Sequence, residues 1–288
     1  MTELVSGMNR AARRQFKNAT KLGSVGKIND ALQTLQNSID QTSNCVDKAG
    51  LLYYKVLWLL DIEAVPQARE AFVEMQREVA KIGPPPQDAD QMDLGASLSV
   101  MVRFAEAKVL MKERNDAAAL DVLEDLTSQY PKQLSLHKLR DLRGEIEMHR
   151  GILLANADRW LEAGVFLERA VPPPALKPLF CYYMGQYCYT VRDYQRAAKN
   201  LKQSFTSNMP PHWRCRAHYM SGFAEYHLFH LKEAKKQFEL SIRTEDPEFM
   251  RKYDIWGLLE RISRVLKLDA EAEKYRKLRE EAENASTN

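Results

Sequence analysis

Cys181 and Cys188 stand seven residues apart, which places both on one face of a helix, and Cys215 and His218 begin the next apolar-periodic segment. Thiolate and imidazole ligands so arranged could hold a soft metal ion if the two segments met. No pair has the tight spacing, about two to four residues, typical of zinc ligands. Beside Gly185 the cysteines fit better as small apolar packing residues, so no metal or other cofactor is expected. His227 and His230 lie three apart near a helix end, where imidazole complements the helix dipole, and no motif supplies a nucleophile or carboxylate to work with them. The chain has no phosphate-cradling glycine loop, nucleophile elbow or paired-histidine helix motif. A non-enzymatic protein is expected.

The elements that carry these residues repeat. Pro178 to Pro211 contains Phe180-Cys181-Tyr182-Tyr183-Met184-Gly185, then Asp193-Tyr194-Gln195-Arg196-Ala197, then Leu201, Phe205 and a proline stop. Cys215 to Pro247 contains His218-Tyr219-Met220-Ser221-Gly222, then His230-Leu231-Lys232-Glu233-Ala234, then Phe238, Ile242 and Pro247. In both, a glycine in one helix precedes an alanine in the next by twelve residues, and the spacing recurs at Gly151/Ala163, Ala107/Ala119 and Ala19/Ala31. Two antiparallel helices approach closely only where each presents a small side chain to the other, and large apolar neighbours fill the remaining space. Val56/Ala68 and Glu260/Ala272 keep the spacing with a larger first residue.

This pattern resembles the tetratricopeptide repeat. That family's consensus carries glycine or alanine late in the first helix, an aspartate-aromatic turn, alanine in the second helix and a closing proline. The likeness is strong at Gly185, Asp193, Tyr194, Ala197 and Pro210, and good at Gly151, Trp160, Ala163, Ala170, Ala107, Ala119, Leu123 and Pro131. It implies an all-α fold: a right-handed superhelical α-solenoid of about seven antiparallel helix hairpins, forming one domain over residues 1–288. The hairpins are expected at 8–43, 46–83, 88–131, 133–172, 176–210, 212–246 and 248–284, the last one capping. Pro84 to Pro86, Pro172 to Pro174, Pro210-Pro211 and Pro247 mark the breaks, since proline cannot continue a helix.

Composition agrees with this reading. Hydrophobic residues are 45% and charged residues 28% of 288, so the chain is globular and not disordered. With 12 glycines and 12 prolines it has too few turn formers for a barrel or sandwich. The longest apolar stretch, Leu51 to Leu60, contains Lys55 and is too short to span a membrane. The first residues lack a signal core, and four cysteines without a CxxC pair read as reduced thiols, so a cytoplasmic protein is expected. The net charge of +3 identifies no class of partner.

In the first helix of each hairpin, the positions three before, one after and four after the small residue form a single stripe. The family resemblance implies that this stripe lines the concave side of the superhelix. It contains Tyr53 and Leu57, then Phe104, then Met148 and Ile152, then Tyr182, Gln186 and Tyr189, then Tyr219, Phe223 and Tyr226. Such an aromatic groove suits an apolar peptide or helix of another protein, and this is the expected function. The alternative is nucleic-acid or phospho-ligand binding through residues 177–216, where Arg192, Arg196, Lys199, Lys202, Arg214 and Arg216 face a single acid, Asp193. Acidic chaperone tails are not expected as ligands. The stripe begins Phe16, Thr20, Tyr53, Leu57, without the lysine and asparagine that would hold carboxylates.

Overall fold

Apolar residues at helical spacing, interrupted by polar caps, produce an architecture in which every regular element among the described residues is helical. The structure is a computed structural model that describes residues 9–82, 92–135, 139–206, 209, 211–243 and 252–286. It forms two compact units, Met1–Leu153 and Leu154–Asn288. Pro84 to Pro86, Pro210 and Pro247, which the sequence marks as breaks, lie outside the described residues.

In the first unit, α1 (Arg10–Ser24) pairs with α2 (Ile28–Gln41), α3 (Cys45–Asp61) with α4 (Val65–Ile82), and α5 (Met92–Lys112) with α6 (Asp116–Gln129). A short α7 (Pro131–Ser135) follows, then α8 (Arg140–Asn156), within which the first unit ends at Leu153. The core is a continuous apolar cluster that includes Leu35, Leu51, Phe72, Met75, Phe104 and Leu126. In the second unit, α9 (Trp160–Leu167) packs on α10 (Lys177–Thr190). Then α10 pairs with α11 (Tyr194–Ser204), α12 (Pro211–His227) with α13 (Leu231–Arg243), and α14 (Lys252–Val265) with α15 (Asp269–Ser286). Although α15 is rich in charge, it buries Ala272 and Tyr275 and stacks Tyr275 on Trp256. No helix among the described residues is long and apolar enough to cross a membrane.

The small-residue spacing has a direct structural cause. Ala31, Ala68, Ala119, Ala197 and Ala234 are completely buried, each in the second helix of a pair, and Ala163 of α9 is completely buried as well. On the partner helix, a methyl group added at Gly185 would stand 2.6 Å from Leu201 Cγ, and one at Gly222 would stand 2.7 Å from the Phe238 ring. Glu260 occupies the corresponding slot of the last pair and stays buried by pairing with Arg264 at 2.6 Å and Arg279 at 2.9 Å. In that slot an ion-paired carboxylate stands where Gly185 and Gly222 stand in the preceding pairs.

Seven residues after each of these positions the backbone turns left-handed. The residues are Gly26, Glu63, Arg114, Asp158, Arg192, Phe229 and Lys267, with φ between 59° at Lys267 and 81° at Gly26. The next residue's amide reaches back five residues in every turn: Asn115 to Leu110, Asp193 to Cys188 and His230 to Glu225, at 2.8–2.9 Å. This double closure satisfies the last carbonyls of the first helix. Asn115 and Asp193 then cap the second helix by accepting from Ala118 and Arg196 amides. Asp158 and Arg192 are 34 residues apart, but Glu63 and Arg114 are 51 apart, so the added length lies between turns and not within them.

The contact at Gly185 generates a stability prediction. Gly185→Ala should cost about 1–3 kcal/mol by overpacking, and Gly185→Leu more. Adding Leu201→Ala to Gly185→Ala should make the two costs less than additive, because one side chain collides with the other. Thermal or urea unfolding measures this. Melting of Gly185→Leu at the wild-type temperature would contradict the assigned packing.

Candidate binding faces

The first helices place the stripe residues at two depths. In the first unit Tyr53, Phe104, Met148 and Ile152 are buried, and Leu57 is half-buried. Four of these five side chains therefore fill the unit's own interior. What this face offers to solvent is partly polar. Lys108, one position after Ala107, lies 3.3 Å from both Glu145 Oε1 and His149 Nε2, and over the Phe104 ring at 5.8 Å. Burial, together with the nearby Lys108 charge, pushes the His149 imidazole down to about 4. The ring is thus neutral. At Glu145 burial works to raise the carboxyl, and the hydrogen bond with His149 and the Lys108 charge outweigh it, holding the pKa below the usual range.

In the second unit Tyr182 is buried, whereas Gln186, Tyr189, Tyr219, Phe223 and Tyr226 are half-buried. These rings are fixed by their neighbours. Tyr182 stacks on Trp213 at 5.6 Å, with 5° between the planes, and meets Tyr183 edge-on. Tyr189 packs edge-on against Tyr194, and Tyr194 stacks on His227 at 4.2 Å. Tyr219 and Phe223 meet edge-to-face at 4.8 Å, and both rings contact buried Phe238. Burial raises the Tyr182 and Tyr189 phenols, so both remain uncharged donors at neutral pH. Trp213 is off the register of the stripe, two residues into α12, and no periodic signal in the sequence points to it. His149 and Glu145 are likewise off the stripe. They are four apart on one helix, and only the fold brings Lys108 to them.

The basic residues are divided between two adjacent helices. Arg192, Arg196, Lys199 and Lys202 belong to the turn and the exposed side of α11, whereas Arg214 and Arg216 are on α12. Arg196 is paired with Glu168 at 2.7 Å and Asp193 at 3.8 Å, and Arg214 donates to the Met209 carbonyl. Of the six, Arg216 is the one whose charge acts on Tyr182.

The cysteine and histidine candidates are occupied by packing contacts. Cys188 is fully buried, and burial pushes its thiol up to about 11. Cys215 donates to the Ser241 carbonyl, His218 Nδ1 lies 2.8 Å from Gln237 Oε1, and His230 pairs with Glu225 at 2.7 Å. No group of three or more His, Cys, Asp or Glu among the described residues could hold a metal ion.

No family model matches the sequence, and no curated protein matches it. Solved structures are similar in fold. A signal transduction ATPase with a tetratricopeptide repeat sensor, from Pyrococcus horikoshii, aligns with 96% of this chain at a TM-score of 0.59 and 11% identity. The alignment covers 43% of that protein, so the chain spans less than half of its length. The apo form of RapI aligns with 93% of this chain and 75% of its own at a TM-score of 0.55 and 12% identity.

The buried His149 ring gives the fold a pH signature. Folding lowers its pKa from about 6.5 to about 4, so the unfolded chain takes up the proton first. The stabilisation, about 3 kcal/mol, is complete above pH 6.5 and lost as pH falls from 6.5 towards 4. His149→Phe should therefore flatten the dependence of unfolding free energy on pH across that window. Equal slopes in variant and wild type would contradict a buried neutral ring.

Proposed function

For a chain with the tetratricopeptide-repeat fold, we propose a non-enzymatic interaction scaffold that holds a peptide or helical segment of another protein. The segment lies against the face formed by Gln186, Tyr189, Tyr219, Phe223 and Tyr226. One observation carries this reading: on adjacent first helices these side chains stay half-exposed while their rings are held by edge-to-face and stacked neighbours. A ring already fixed in place loses little conformational freedom when a partner covers it. Tyrosine adds a hydroxyl at the rim of an apolar surface, a combination enriched at interfaces.

Tyr182 of the second unit is buried, and so are Tyr53, Phe104, Met148 and Ile152 within the first. Buried side chains of this kind fill the interior of their own unit and do not touch the partner. The competing phosphate-binding reading draws less support, because Arg196 and Arg214 are engaged within the protein. All four cysteines are free thiols, three of them buried, which is in keeping with a reducing compartment such as the cytoplasm.

The test compares two folded variants in pull-downs from the native cell. Tyr189→Ala combined with Tyr219→Ala should lower partner capture at least ~tenfold, as loss of aromatic anchors does. Lys199→Ala combined with Lys202→Ala should mainly alter the salt dependence. Full capture by the tyrosine variant, beside loss in the lysine variant and a steep fall of binding with salt, would move the site to the basic surface.

A further inference from the structure

The seven left-handed hairpin turns among the described residues can be compared with one another, because each closes with the same backbone geometry. At the left-handed position six turns carry Gly26, Glu63, Arg114, Asp158, Arg192 and Lys267, and the sixth turn in chain order carries Phe229. Phe229 is 87% exposed. A bulky aromatic is poorly suited to left-handed backbone, and exposing it forgoes the gain from burying its ring. The other turns show that closing a hairpin requires no such residue.

The neighbouring turn departs from the pattern in the same direction. Two residues before the left-handed position, the first six turns hold Ser24, Asp61, Lys112, Asn156, Thr190 and His227, and the last holds Val265. One residue after it stand Lys27, Ala64, Asn115, Arg159, Asp193 and His230, and in the last turn Leu268. Val265 is 67% exposed and Leu268 37%. At these two positions the large apolar exceptions belong to the last turn, beside the turn of Phe229; one residue before the left-handed position, other turns also expose Val25, Ile62 and Val191.

Phe229 and Leu231 line two shallow hollows, and Val265 lines one of them. One, of about 460 Å³, is bounded also by Leu266 and Lys232. The other, of about 270 Å³, is bounded also by Ile262, Val265 and Arg261. Each is small beside a drug-sized pocket of up to about 1,000 Å³, and is suited to a side chain or two.

The rim carries more cations than acids: Lys232 and Arg261 line the hollows with one carboxylate, Glu233, and Lys267 follows in the next turn. Lys232, Arg261 and Lys267 are exposed and make no ion pair among the described residues. The nearby acids are engaged: Glu225 pairs with His230, and Glu233 accepts from Gln237. A second copy of the chain would bring these cations against their own counterparts. A nucleic acid would meet aliphatic hollows and not a flat stacking face. Acidic polypeptide satisfies both the apolar floor and the charged rim.

We propose that the turn edge formed by Phe229 and the α14–α15 turn docks a short acidic segment of a partner protein. It seats one aromatic or aliphatic side chain against Phe229, Leu231 and Val265 and sets its carboxylates against Lys232, Arg261 and Lys267. This goes beyond the reading of the first-helix aromatic face; the two surfaces meet at Tyr226, which lines the second hollow.

The experiment pans a phage-displayed random dodecamer library on the full chain, with counter-selection on a chain carrying Phe229→Gly and Val265→Ser. Glycine preserves the left-handed turn, so the counter-selection protein keeps its fold. The expected consensus is one large apolar residue flanked by Asp or Glu. The selected peptide should bind the Phe229→Gly/Val265→Ser chain and an Arg261→Glu/Lys267→Glu chain at least ~tenfold more weakly by fluorescence anisotropy. It should bind the Tyr189→Ala/Tyr219→Ala chain as it binds wild type, so this site and the aromatic face can fail separately. The proposal is overturned by absence of enrichment over the counter-selected chain, by a consensus without acids, or by competition from oligothymidylate. A dimer of wild type that Phe229→Gly dissolves in sedimentation would overturn it as well, in favour of self-association.

Discussion

Everything placed on these faces depends on one local constraint: the first helix of each pair ends in a left-handed residue seven positions after its point of closest approach to the second. That spacing brings the chain back with Leu201 over Gly185 and Phe238 over Gly222. The five-residue amide-to-carbonyl bond satisfies carbonyls that would otherwise face outward at a helix end. Six of the seven residues that adopt this conformation have a side chain, so the turns are closed against a backbone preference of about 1–2 kcal/mol each. The packing of the hairpin supplies the compensation.

The sequence shows this packing clearly and the turn poorly. Small residues twelve apart are visible because close approach tolerates so few residue types, and Ala31, Ala119, Ala197 and Ala234 are all fully buried as that spacing requires. Left-handed backbone is ordinarily signalled by glycine or asparagine. Here only Gly26 gives that signal, while Glu63, Arg114, Asp158, Arg192, Phe229 and Lys267 look like ordinary helix-end residues. The last pair is hard to read for a different reason. A glutamate in a small-residue slot suggests a broken pattern until Arg264 and Arg279 are seen to neutralise it.

For the faces, periodicity assigns a residue to a side of a helix but not to a depth. Tyr53, Phe104, Met148, Ile152 and Tyr182 share the stripe with Tyr189, Tyr219 and Phe223, yet the first five are buried by neighbours that no spacing rule names. Trp213 covers Tyr182 from a position with no counterpart in the repeat. Lys108, Glu145 and His149 come from two helices far apart in sequence, and their low-dielectric contact exists only in the folded unit. Charge patterning is likewise silent on pairing: the run of basic residues over 177–216 includes Arg196 and Arg214, which are engaged internally.

Site-resolved hydrogen exchange tests the turn constraint most directly, because it reads single amides within one loop. The amide of Asp193 is bonded to the Cys188 carbonyl at 2.8 Å, whereas Tyr194 begins the following helix, where the first amides lack an intrahelical acceptor. A closed turn predicts slow, helix-like exchange at Asp193, and equally at Asn115 and His230, beside fast exchange at Tyr194. Exchange at Asp193, Asn115 and His230 as fast as at Tyr194 would contradict the closed left-handed turn, and with it the register that positions both faces.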